Sequence, residues 1–272
     1  MAKDNKHMSP IGPARMPLMD HLQELRRRLT IIVVSVVVTA LVIYFATPTL
    51  IEFMIDPIRE SLQGNGLAIL GVLDGFTIRF KVAMFWGVII CTPIIIWEVM
   101  AFFLPALNEH ERKWVVPTVA AMVALFFLGM VFCYIVIQQA AFGWLIDQSL
   151  EFATIVPNAD DYLNIMMLLE VGFGFAFQLP LIIFYLSILH IVPYSVFRSQ
   201  WRYIYVGLMV VCAIVTPDAS PITMILMYVV LLALYEVSLG IARYVITQRD
   251  GKAALKWSRE EYAEHEAESD SK

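Results

Sequence analysis

A chain of 272 residues that is 60% hydrophobic and only 16% charged is not composed like a soluble domain, where about a quarter of residues are charged. The charges cluster and leave long windows almost free of them, which points to one polytopic membrane bundle and argues against soluble domains. The formal net charge of −5 says little about partners, because Glu260, Glu261, Glu264, Glu266, Glu268 and Asp270 crowd the C-terminal end.

Residues 1–28 are polar, rich in proline and charge, and lack a small-residue cleavage site, so no cleavable signal peptide is expected. Leu18, Leu22, Leu25 and Leu29 recur at helical spacing and predict an amphipathic helix lying along the membrane interface, with Asp20 and Glu24 on its wet side. A bilayer core about 30 Å thick requires about 20 apolar residues in a helix. On that basis six spans are predicted near 29–47, 77–104, 114–137, 162–189, 202–216 and 222–243, forming a membrane domain over 29–243. The loop 48–76 is rich in proline and glycine, and its apolar stretch Leu67–Leu73 is expected to fold at the outer interface and cap the bundle. Pro93, Pro117 and Pro180 fall inside spans, where a missing backbone donor predicts kinks and a cupped bundle. The fifth span offers only about 20 Å of apolar helix from Tyr203 to Val215, so the last hairpin must tilt little, thin the bilayer or hide behind neighbours. Residues 244–272 read as a disordered acidic tail.

Of the 19 basic residues, all but Arg59, Arg79 and Lys81 lie in the two terminal segments or in the loops after spans two and four. The positive-inside rule therefore predicts that both termini are cytoplasmic. The predicted fold class is all-α: six transmembrane helices, some kinked, with N-in and C-in topology.

Cys91, Cys133 and Cys212 lie in apolar runs without CxxC or Cys/His spacing, so they read as small buried hydrophobes and not as a disulfide framework or zinc site. No GxSxG, HExxH or P-loop is present, and Gly172 and Gly174 read as close helix packing. His21, His110 and His190 belong to separate loops or helix ends. No enzyme, cofactor, metal site or nucleic-acid partner is expected.

Carboxylates remain. Glu24 precedes Arg26, Arg27 and Arg28 and either pairs with Arg27 or Arg28 at helical spacing or is held for a ligand. Glu111, beside Arg112 and Lys113, has the same two readings. Glu98 and Glu236, near span ends, read as structural. Glu170 lies about two turns into span four, where a charge is costly; it either packs as a hydrogen-bonded residue between helices or serves a function, with Gln178 as a second polar group in that span.

In order along the chain, HLQELRRRL, Asp56-Pro57, MAFFLPALNEHERKWVVP, FFLGMVFCY, the segment Tyr162 to Pro180, Arg202 to Gly207, TPD and Leu234 to Glu236 resemble the motifs of the TatC family, the multispanning receptor of the twin-arginine protein translocase. The resemblance covers about residues 18–243. It implies a receptor for signal peptides with two adjacent arginines, acting with TatA- and TatB-type single-span partners to export folded proteins by the proton-motive force. The implied membrane is the bacterial inner membrane, and self-association is implied too. Glu24 and Glu111 match the family's signal-peptide-binding glutamates, Arg26 the adjacent basic position, Phe102 the aromatic residue before PAL, and Pro57 the outer-loop proline. Gln178 stands at a span-four position often occupied by Glu, Gln138-Gln139 stands where the family often has Pro, and TPD is shorter than the common TPPD, with Asp218 at the family's aspartate. Two carboxylates on one rim suit a guanidinium pair, since each accepts a fork of hydrogen bonds. The rival expectation, from another class, is a proton-coupled solute transporter using Glu170.

Overall fold

The computed structural model describes residues 18–59, 62, 66–103, 115–150, 156–188, 192–216, 221–249, 251–257 and 261. The described chain is helical, and its only strand-like pairing is an isolated bridge between Ala68 and Asn158. Five helical stretches are long and apolar enough to cross a membrane, at Leu22–Ile58, Asp74–Phe102, Val115–Gln148, Ala159–Ser187 and Pro221–Gln248, with a shorter apolar helix at Trp201–Ile214.

Helix α1 (Leu18–Ile43) runs without a break through the segment expected to lie along the interface. Nothing there ends a helix, so the leucine stripe becomes its first turns, with Leu22, Leu25 and Leu29 exposed. A 3-10 turn leads into α2 (Thr47–Ile55), where Pro48 occupies the first turn; its missing N–H is no loss there, so the expected loop begins as helix.

Helix α3 (Asp74–Phe103) returns antiparallel to α1 and stays unbroken across Pro93. Their crossing is tight at Gly87, where a Cβ would stand 3.1 Å from the Ala40 methyl and 3.2 Å from the Val36 carbonyl. Thr39 Oγ1 and Cys91 Sγ meet at 3.2 Å in the same seam.

Helix α4 (Val115–Phe132) carries Pro117 in its first turn, so that proline makes no kink. The irregularity of this span is instead a π turn over Cys133–Ile137, after which α5 (Gln138–Leu150) continues well past the expected end. A π turn inserts an extra residue and re-aims the helix beyond it; here it directs Gln138 into the core.

Span four is two helices, α6 (Ala159–Ala176) and α7 (Leu179–Ile188). Pro180 has no N–H for the preceding turn, and the break falls at Phe177-Gln178. The helices α4 and α6 cross where each offers a glycine: Gly129 lies against the Phe173 carbonyl, and Gly174 against the Phe126 ring. Gly174 is thus a packing residue, as expected.

After α8 (Tyr194–Ser199), helix α9 (Trp201–Val215) has 15 residues and α10 (Pro221–Arg249) has 29. At about 1.5 Å per residue the hairpin is uneven. The surplus of α10 is covered by its own continuation: a 3-10 turn at Lys252–Lys256 places Ala254 against Ile246, with Tyr194, Leu255 and Trp257 around them. Within the tail expected to be disordered, residues through Arg249 continue α10 and Lys252–Lys256 form a 3-10 turn.

At the far end of the bundle, Ala68 and the segment 157–159 exchange backbone hydrogen bonds, and Lys81 Nζ grips both oxygens of Asp160 at 2.8 and 3.0 Å. Leu67 packs on the core while Ile69, Leu70, Val72 and Leu73 stay exposed, so the apolar loop covers the bundle only in part. Tyr134 and Tyr162 donate to the carbonyls of Phe53 and Met54, fastening α2 to the core. Cys91, Cys133 and Cys212 are free and buried.

Candidate functional site

The antiparallel pairing of α1 with α3 brings residues 70 apart in sequence together at the bundle end where α1 begins. On α1, Glu24, Arg27, Arg28 and Ile31 fall on one stripe at helical spacing. That stripe faces Glu98, a little over one turn from the end of α3. The Arg28 guanidinium lies between the two carboxylates. Its Nε and Nη2 donate to Glu24 Oε1 at 3.1 and 2.6 Å, and its Nη1 donates to Glu98 Oε2 at 3.0 Å. The three side chains keep 22%, 24% and 15% of their surface (Arg28, Glu24, Glu98), sheltered yet reachable. With Gln23, Arg27 and Ile31 they line a groove of about 610 Å³. Charge-assisted forks of this kind are the strong end of hydrogen bonding, and guanidinium suits them better than ammonium.

Of the residues singled out from sequence, Glu24 is in this groove. Arg26 is not: two residues on from Glu24, it points to the other side of α1, is exposed, and its carbonyl accepts from Thr30. Phe102 lies one turn beyond Glu98 on α3 and is half-buried. Glu111 and Asp218 lie outside the described residues. Pro57 sits in a 3-10 turn at the opposite end of the bundle, between an exposed Asp56–Arg59 ion pair and buried Ile58.

Glu170 and Gln178 do not line the groove, and they have separate partners. Glu170 is 3% exposed, and its Oε1 accepts from Gln138 Nε2 at 2.9 Å; Gln138 is fully buried behind the π turn. Gln178 occupies the α6–α7 break and donates to the Met122 carbonyl at 3.0 Å. Glu236 accepts from the Tyr205 hydroxyl at 2.6 Å and lies 3.4 Å from Arg198, which ties α8, α9 and α10 together.

Two residues count for more in the structure than in the sequence. Glu98 reads from sequence as structural, yet it supplies the second wall of the groove; a carboxylate one turn before Phe102 is the available sign. Gln138 reads from sequence only as a departure from a pattern, yet it is the partner of Glu170. Both cases need a contact across helices. Among the described residues no group of three His, Cys, Asp or Glu side chains is placed to hold a metal ion.

Helices long enough to span a bilayer, packed around one core, with a charge-balanced, ion-paired groove at one end, define a multi-pass membrane protein. The model of the TatC family, Sec-independent protein translocase protein, matches residues 20–229. The chain is 32% identical over 242 residues to the Sec-independent protein translocase protein TatC of Deinococcus radiodurans, covering 87% of this chain and 90% of that one. It is 30% identical over 230 residues to the corresponding protein of Aquifex aeolicus, covering 84% and 95%. A crystal structure described as the twin arginine translocase receptor TatC matches with a TM-score of 0.71 and 29% identity, over 82% of this chain and 98% of that one. The chain belongs to the TatC family. It is a component of a protein translocase and not an enzyme, and the rival reading as a Glu170-dependent solute transporter finds no support.

Proposed function

We propose that this protein is the receptor of a twin-arginine translocase in the bacterial inner membrane, with both termini in the cytoplasm. It captures signal peptides bearing an arginine pair and works with TatA- and TatB-type single-span subunits, and with further copies of itself, to export folded proteins by the proton-motive force. The observation that carries this reading is the groove in which Glu24 already accepts a guanidinium fork. Glu111 is proposed as the partner carboxylate, Phe102 as an apolar contact for the peptide, and Arg26 as a basic residue of the surrounding surface that disfavours poorly matched cations. Pro57 and Asp218 are proposed to act at the outer face.

The test is binding of a peptide with an Arg-Arg pair, and of its Lys-Lys twin, to the chain in lipid nanodiscs. Preference for the arginine peptide is expected; equal affinity, or none, overturns the reading.

Glu170 is proposed to supply the polarity of the membrane interior in this chain. Glu170→Ala strips buried Gln138 of its acceptor and is expected to lower stability by about 1–3 kcal/mol and to impair export. Glu170→Gln preserves size and hydrogen bonding and is expected to be mild, as is Gln178→Glu. Export of a folded reporter by the three variants decides, and full activity in all of them removes the idea.

A further inference from the structure

We infer that Glu98 is a recognition carboxylate and that Arg28 is a resident guanidinium which an arginine of the incoming peptide displaces. This rests on the receptor reading above and adds an exchange step to it. Arg28 occupies the two carboxylates as a ligand would: it uses three N–H groups on Glu24 Oε1 and Glu98 Oε2. The structure is therefore that of a filled site whose filler is tethered to the wall.

Three features favour exchange over permanent pairing. The groove is open, with every one of the three side chains partly accessible. Among the described residues neither Glu24 Oε2 nor Glu98 Oε1 receives a donor. An arriving guanidinium thus has a free acceptor on each carboxylate before Arg28 leaves. Arg27, exposed and lining the same groove, sets a second positive charge beside Arg28, which weakens the hold of the carboxylates on either one.

The chemistry of the swap explains selectivity. Replacing one guanidinium by another keeps the fork and its desolvation unchanged, whereas an ammonium is a strongly hydrated point charge that cannot reproduce the fork. A tethered competitor also raises the threshold, because Arg28 is always at hand. A peptide with one arginine competes against it on poor terms; a second arginine on the same peptide offsets that handicap. Arg28 thus weakens binding overall while sharpening the choice of arginine over lysine.

The full-length chain in nanodiscs, titrated with Arg-Arg and Lys-Lys peptides, tests this. Arg28→Gln is expected to tighten the Arg-Arg peptide about five-fold and the Lys-Lys peptide more, so that discrimination falls. Glu98→Gln is expected to weaken the Arg-Arg peptide about ten-fold. Arg28→Lys keeps the positive charge at this membrane edge and is expected to tighten binding by a smaller factor, which decides the matter if Arg28→Gln does not fold. A merely structural Arg28 predicts the reverse, weaker binding with unchanged discrimination. That result, or an unchanged affinity in Glu98→Gln, overturns the exchange while wild-type preference for arginine leaves the receptor reading standing. Wild-type indifference between the two peptides overturns both.

Discussion

Glu24→Lys is expected to abolish capture of the arginine-pair peptide, with affinity falling about 100-fold or more and export of a folded reporter lost. The substitution removes the carboxylate that takes two of the three donors of Arg28. It places an ammonium one turn from Arg28 and near Arg27, facing Glu98, so the groove turns from charge-balanced to strongly positive. Repulsion of an arriving guanidinium from a sheltered positive groove costs binding far more than the few tenths of a kcal/mol that the fold loses with a helical i,i+4 pair, because the partly exposed side chains of the empty groove can turn apart into water. The fold should therefore survive while the site fails. Glu24→Gln, which removes one charge without adding another, is expected to cost about ten-fold. Peptide titration alongside thermal unfolding of the same samples separates the two effects; near-wild-type capture by Glu24→Lys is incompatible with the groove as the receptor site.

The second large effect is on stability. Gly129→Ala is expected to destabilise the bundle by about 2 kcal/mol, and Gly129→Val by more. A Cβ at Gly129 would stand 2.6 Å from the Phe173 carbonyl oxygen and 2.9 Å from the Phe177 ring. A backbone carbonyl inside α6 cannot swing aside, so α4 and α6 must separate and lose contacts along the crossing. Gly174→Ala meets the edge of the Phe126 ring at the same 2.6 Å, but a side chain can shift, and a smaller loss is expected. Gly240→Ala serves as the control: nothing lies within 4 Å of its Cβ position, and replacing a helical glycine by alanine is neutral or stabilising by up to about 1 kcal/mol. Midpoints of unfolding in detergent should rank Gly129→Ala lowest and Gly240→Ala at or above the parent. If Gly129→Ala unfolds with the parent, the α4–α6 crossing is looser than described.

Helix content and the number of apolar stretches are legible in the sequence because they depend on composition over windows of about 20 residues, which neighbours cannot alter. The ends of these stretches are less so. Pro48 and Pro117 look like breakers, yet both stand in first turns, where proline is tolerated. The π turn at Cys133–Ile137 has no proline or other local marker in the sequence, and the contact that accompanies it, Gln138 with Glu170, lies across helices. In the groove, the setting of Glu24 among arginines is legible in the sequence, but its pairing with Arg27 or with Arg28 is open until the structure selects Arg28.

By itself the sequence determined an all-helical membrane chain, the buried character of its cysteines, the packing role of Gly174 and the membership that its ordered motifs announced. Those properties are local or cumulative, and each residue contributes independently of its distant neighbours. Only the tertiary structure decided that Glu98 shares Arg28 with Glu24, that Gln138 satisfies Glu170, and that the segment after α10 folds back onto Ile246. In each case the partner lies on another element, and the free energy that selects it comes from burial and hydrogen bonding across helices.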